Sequence, residues 1–232
     1  MMKDQSRLVI TAIILTALFL VIDFSVLNGL TQKIDADSFA LINNWGPSAP
    51  IDTVMILLSL YGREVVWTAI IIILITKGGK EQKKTAILMI ILFLLLIALG
   101  IVTKVVNNRE RPYDTLQGVD LLVPKENDMS FPSGHALIVS GGAVLLLLRE
   151  RRRWATLALL EAALVSFSRV YVGVHYPGDV IGSWLLGAIF AILVELIGRK
   201  TNALNDISAL RMSISEAIGL PKPARTRTVN TT

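Results

Sequence analysis

The chain has no cysteine in 232 residues, which excludes disulfides and thiolate metal sites and leaves the compartment open. Histidine is almost as scarce, with two copies, His135 and His175. Only 18% of residues are charged, whereas 53% are apolar and mean hydropathy is +0.62, so polar surface is too sparse for a soluble domain of this size. The formal charge of +5 does not point to nucleic acid. Much of the excess lies in two short turns, residues 77–84 and 149–153, between apolar runs, as expected for cytoplasmic loops of a membrane protein. No internal repeat or low-complexity segment is present.

What is abundant is long apolar sequence. Runs cover residues 8–30, 51–76, 86–103, 135–148, 154–174 and 176–198, and predict an all-α integral membrane bundle of six transmembrane helices. The first run follows Lys3 and Arg7. It is too long for a signal-peptide core and no small-x-small cleavage site follows, so it reads as an uncleaved anchor. Residues 31–50 read as a polar connection with Trp45 as an interfacial anchor. The second run is broken by Tyr61-Gly62-Arg63-Glu64, and its clean part, residues 65–76, is too short to span. The crossing therefore recruits part of 52–64, with Gly62 permitting a bend. Arg63 and Glu64 then read as an interfacial ion pair or as lining of a substrate entrance. The fourth run has 14 residues, about 21 Å of helix against a hydrocarbon core of about 30 Å, which sinks its first residues below the membrane surface. Residues 1–200 form one membrane domain. Residues 201–232 form a tail in which Leu204, Ile207, Leu210, Ile214 and Ile218 recur at helical spacing, predicting a surface helix before a disordered end.

Charged residues that a membrane chain has reason to avoid fall in three stretches. Lys104 and, seven residues on, Arg111-Pro112 follow the third run. Pro132-Ser133-Gly134-His135 opens the fourth, and Ser168-Arg169 precedes His175 and Asp179 between the fifth and sixth. His175 and Asp179 are four apart, so on a helical turn they share a face and the carboxylate can fix the imidazole tautomer. Both histidines of the chain lie in these stretches, against the ordinary reading of a lone membrane histidine as a packing group. Together the stretches resemble the three-part signature of the type 2 phosphatidic acid phosphatase family, at every signature position and in order. The family includes lipid diphosphatases, glucose-6-phosphatase and vanadium haloperoxidases. The matched region, residues 104–179, is about a third of the chain.

Phosphoryl transfer requires a nucleophile, charge neutralisation and a proton for the leaving group. Residue types and resemblance agree on the roles. His175 is the expected nucleophile, forming a phosphohistidine, with Asp179 orienting it. Lys104, Arg111 and Arg169 are expected to bind the nonbridging oxygens in place of a metal. Ser133 and Gly134 present hydroxyl and backbone N–H groups at a helix start. His135 protonates the leaving oxygen and then activates water. No cofactor is implied, and no third ligand has spacing suited to a metal site. Arg109 and Glu110 read as a solvated loop pair, with Arg109 as an alternative contact to a second phosphate.

With six crossings, sixteen lysines and arginines fall on one side and six on the other, four of those six in or beside the motifs. The motif side is therefore extracytoplasmic, in the cell membrane, and the implied partners are membrane lipids and a lipid phosphate substrate. An outward site favours a polyprenyl diphosphate such as undecaprenyl diphosphate. Phosphatidic acid or phosphatidylglycerol phosphate is the alternative, and a haloperoxidase or a non-catalytic lipid-binding or transport protein fits less well.

Overall fold

The computed structural model describes residues 2–46 and 48–200, and every regular element among them is helical. The order is α1 (Met2–Leu27), α2 (Gln32–Asn43), α3 (Ala49–Leu57), a π-helical stretch (Leu58–Val66), α4 (Trp67–Thr76), α5 (Lys80–Asn107), α6 (Pro112–Thr115), α7 (Gly134–Arg149), α8 (Arg152–Tyr171) and α9 (Pro177–Lys200). Four segments are long and apolar enough to cross a membrane: residues 5–27, 49–76, 80–115 and 177–199. Their outward faces carry exposed Ile, Leu, Val and Phe, as lipid contact requires. Helix α7 is apolar but has 16 residues, about 24 Å. Helix α8 is longer but carries Glu161 and Arg169.

The short helix α7 is the axis of the bundle. Residues 136–143 are buried without a break, so the helix is covered on all sides, chiefly by α9 and α8 and then by α5. Its small residues permit that closeness. A Cβ on Gly142 would lie 2.2 Å from the Trp67 ring, so any side chain there displaces α4 or the indole. Around this contact Leu92, Leu96, Leu137, Val139, Leu145 and Val165 form the apolar centre.

Two connections differ from the sequence reading. Residues 31–50 are not simply polar connection: α2 occupies most of them and buries Asp35, Phe39 and Asn43 against the motif end of the bundle. The segment 49–76 is one continuous helical rod that does recruit 52–64, but through a π-helical stretch. Gly62 also serves close approach, since a Cβ there would fall 2.4 Å from Val165 Cγ2 on α8. The surface helix expected over 202–218 lies outside the described residues.

Candidate active site

Helix starts and one long loop converge at a single end of the bundle. The loop, residues 108–133, lies across the N-terminus of α7 and the turn between α8 and α9. It is tied down by Asn43 at the end of α2. The Asn43 amide donates to Asp120 O and Tyr171 O at 2.8 Å each and accepts from Asp120 N at 2.8 Å.

His175 is fully buried in the turn before α9, not on a helix face as the spacing implied. The four-residue pairing survives because Asp179 is the third residue of α9 and points back over the turn. Its Oδ2 is 3.4 Å from His175 Nδ1 and accepts from Tyr176 N at 2.9 Å, the reach-back half of a capping box. Ser130 Oγ also donates to Oδ2, and Arg109 Nη1 donates to Oδ1 at 2.7 Å. On the far side of the ring, Nε2 is 3.2 Å from Arg111 Nη1, which can only donate. Nε2 is thus the unprotonated nitrogen and Nδ1–H faces the carboxylate. Burial, with Arg111, Arg169 and Lys104 nearby, pushes the His175 imidazole well below its ordinary value, against the weaker pull of Glu126. That shift and the Arg111 contact both favour the neutral ring.

The three motif cations meet around the same point. Arg111 donates from Nε to Asp128 O and from Nη1 to Val174 O, both at 2.8 Å, which fixes the guanidinium plane. Arg169 at the end of α8 is held by Ser59 of the π-helical stretch, through Oγ at 2.5 Å and O at 3.2 Å. Lys104, in the last turn of α5, donates to Met129 O and lies 3.2 Å from Asp128. Ser133 is the N-cap of α7, and its Oγ is buried with no hydrogen-bond partner among the described residues. His135, the second residue of α7, is within electrostatic reach of His175, Arg111 and Arg169, and its Nε2 is 3.7 Å from Glu64. All eight residues singled out by the motifs thus lie at one end of the fold.

Sequence reasoning missed the anions. Glu126 bonds Arg169 through one oxygen and Arg111 through the other, at 2.6 Å, and stands 4.0 Å from His175 Nε2. Burial alone raises a carboxyl, but Arg169, His175 and Arg111 outweigh it and hold Glu126 below its usual range. Burial also raises the Asp128 carboxyl, but Lys104 and Arg111 together outweigh it and hold it below its usual range. The reading of Arg109 needs correction: it is neither a solvated loop residue nor part of the cation cluster. Its side chain is buried between Asp179 and Asp35, 2.6 Å from the latter, and stacks 4.2 Å above the Tyr176 ring. Asp35 also accepts from Gly178 N at 2.7 Å, anchoring the first turn of α9. The only hint in sequence was the unusual length of the 108–133 loop.

A buried imidazole with an unprotonated Nε2 that accepts from Arg111 and is ringed by cations is equipped to attack a phosphoryl group once that hydrogen bond is exchanged. The model of the PAP2 superfamily matches residues 84–202. An undecaprenyl-diphosphatase from Sulfolobus acidocaldarius is 44% identical over 183 residues, which cover 78% of this chain and 87% of that protein. The chain belongs to the PAP2 superfamily. Among solved structures, the PAP2 type phosphatidylglycerolphosphate phosphatase from Bacillus subtilis superposes with a TM-score of 0.66 at 23% identity, over 83% of this chain and 98% of that one. Aquifex aeolicus LpxE gives 0.57 at 28% identity, over 68% and 92%. The PAP2 fold is thus shared across helices that differ in most of their residues, and the chain is a multi-pass membrane protein.

Proposed function

We propose that this chain, a membrane phosphatase of lipid phosphates, hydrolyses the terminal phosphate of a polyprenyl diphosphate through a phosphohistidine at His175. The observation that carries the reading is the His175 geometry. Nδ1–H is held by Asp179, and Nε2 is unprotonated, accepts from Arg111 and lies 4.0 Å from the Glu126 carboxylate that bridges Arg111 and Arg169. The Glu126 oxygens, bridging both guanidiniums, stand in for two nonbridging phosphoryl oxygens. Substrate takes their place. The Nε2–P bond forms as the P–O bond to the leaving group breaks, and Lys104, Arg111, Arg169, the Ser133 hydroxyl and the Gly134 N–H hold the displaced charge. His135 gives the leaving oxygen a proton, then takes one from the water that cleaves the P–N bond. The 44% identity to an undecaprenyl-diphosphatase supports the polyprenyl substrate.

The reading includes six crossings within residues 1–200, α7 and α8 completing the four longer segments, with 201–232 as a cytoplasmic extension. Sixteen basic residues on the opposite side support an outward-facing site. Single cysteines at Gln117 and Lys80, exposed positions in a chain with no thiol, test this. An impermeant thiol reagent on intact cells labels the first and spares the second. The reverse pattern overturns the orientation.

Mechanism and substrate are tested together. Purified protein given farnesyl diphosphate, a longer polyprenyl diphosphate, phosphatidic acid and phosphatidylglycerol phosphate releases phosphate fastest from the diphosphates. An acid-labile phosphoenzyme is trapped in the parent chain and absent from His175→Ala. Labelling that persists in that variant rules out His175 as nucleophile, and faster release from phosphatidic acid rules out the polyprenyl preference.

A further inference from the structure

Like Arg109, Arg63 is a cation near the site that the three motifs do not account for, but its counter-ion is half exposed rather than buried. It lies in the π-helical stretch, on the rod formed by α3 and α4. Its Nη1 is 3.9 Å from where a Cβ of Gly134 would project, which sets the guanidinium over the first turn of α7. Its Nε and Nη2 both contact one oxygen of Glu64, and Nη1 has no partner among the described residues. That ion pair is half exposed and therefore weak, easily exchanged for a better anion. Glu64 in turn faces His135, so the Arg63–Glu64 pair stands on the side of the site from which the leaving oxygen departs.

The space beside it indicates what departs. A cleft of about 150 Å³ runs between α5 and α7, with Arg63, Lys104 and Gly134 at one end and Leu96, Ile97 and Leu137 along its wall. A lipid substrate has to place its chain against that wall and its phosphate on the cation cluster. Arg63 lies at the polar end of the cleft, where the atoms joining chain and terminal phosphate pass. In a lipid monophosphate those atoms are a single ester oxygen, which a proton from His135 satisfies. In a diphosphate they are a second phosphate, which leaves with the electron pair of the broken P–O bond and carries charge that one proton does not neutralise.

We infer that Arg63 binds the inner phosphate of a lipid diphosphate and so makes the enzyme prefer diphosphates to monophosphates. This rests on the proposed roles of His175 and His135. Arg63 exchanges Glu64 for the inner phosphate on binding, and its hydrogen bond strengthens as the lipid monophosphate is released. The π-helical stretch supplies the residue because its wider turn carries Ser59 to Arg169 and Arg63 to Gly134 from one short segment.

The test compares two substrates in one variant. Arg63→Gln is assayed with farnesyl diphosphate and with phosphatidic acid, alongside Arg63→Lys and His175→Ala. The expected result is a fall of about 10- to 100-fold in kcat/KM for the diphosphate, as for the loss of one charge-assisted phosphate hydrogen bond. Phosphatidic acid hydrolysis changes less than about 3-fold, which also shows that the variant is folded, and Arg63→Lys recovers part of the loss. An equal fall on both substrates, or none on either, overturns the inference. His175→Ala loses both activities if the general mechanism holds. If it keeps them, the mechanism fails whatever Arg63 does, so the two failures are told apart.

Discussion

Both ends of the bundle bury ion clusters, and they are built differently. At the end away from the site, Arg149 of α7 pairs with Glu195 of α9 at 2.8 Å, and Arg199 of the same helix completes the cluster at 2.7 Å. Both partners of the buried contact are set by helix backbones. At the site end Lys104 and Arg169 again sit at helix ends, but Glu126 and Asp128, which neutralise them and Arg111, belong to a loop. A helix-borne counter-ion leaves only when the helix leaves. A loop-borne one gives way to another anion at the cost of a local rearrangement. The cations proposed to hold phosphate have loop-borne partners, and those at the opposite end have helix-borne ones.

That contrast can be broken or sharpened by substitution. The largest effect is expected for His175→Ala, with kcat falling by about four orders of magnitude or more while thermal stability holds. A structural defect instead of a chemical one erases the distinction. Next, Glu195→Ala removes the buried carboxylate between Arg149 and Arg199, leaves Arg149 with its exposed partner Glu81 and the Thr85 hydroxyl, and is expected to cost about 3 kcal/mol of stability, with the activity of the folded fraction unchanged. A thermal melt in detergent measures the first and phosphate release the second. Glu126→Gln runs the other way. It frees Arg111 and Arg169 for an outside anion, and inhibition by vanadate is expected to strengthen by roughly tenfold. Weaker inhibition places the carboxylate among the groups that hold substrate rather than those that yield to it.

The smallest expected effect is on pH. The carboxyls of Glu126 and Asp128 are lower in the folded chain than in the unfolded one, so their hold on the loop is complete above the ordinary carboxylate range. It is lost as pH falls through their depressed folded values. Protease cleavage within residues 116–130 is therefore flat from neutrality to about pH 5 and rises only below about pH 4. A rise near pH 6 instead assigns the hold to another group. Activity in EDTA completes the set: with three fixed cations on the phosphate, it is expected to persist, and loss that Mg²⁺ restores overturns that account.

The motif residues were legible because their chemistry is out of place in apolar sequence. Lys104, Arg111, Arg169 and the two histidines stand out where leucine is expected, and the apolar runs show where helices lie. The groups that hold them were not legible. Arg109 meets Asp35 and Asp179 across 74 and 70 residues of chain, and Glu126 meets Arg169 across 43. Pairings of that span leave no periodicity. Helix α2 escaped for a related reason: its apolar face is narrow, and its buried residues include Asp35 and Asn43, which read as loop residues until their partners are seen. The close approach at Gly62 was not legible either, because Val165, the neighbour that excludes a side chain there, is about a hundred residues away.

The cleft between α5 and α7 has a consequence for how fast such an enzyme works. Ile97 and Ile101 on its wall are more than half exposed on the lipid-facing side of α5, so the cleft opens sideways into the bilayer rather than upward into water. Substrate then arrives by diffusion in a plane, and the quantity that sets the rate is its number per unit area of membrane. Diluting the aqueous phase leaves the rate unchanged, while adding inert lipid to the same vesicles slows it in proportion.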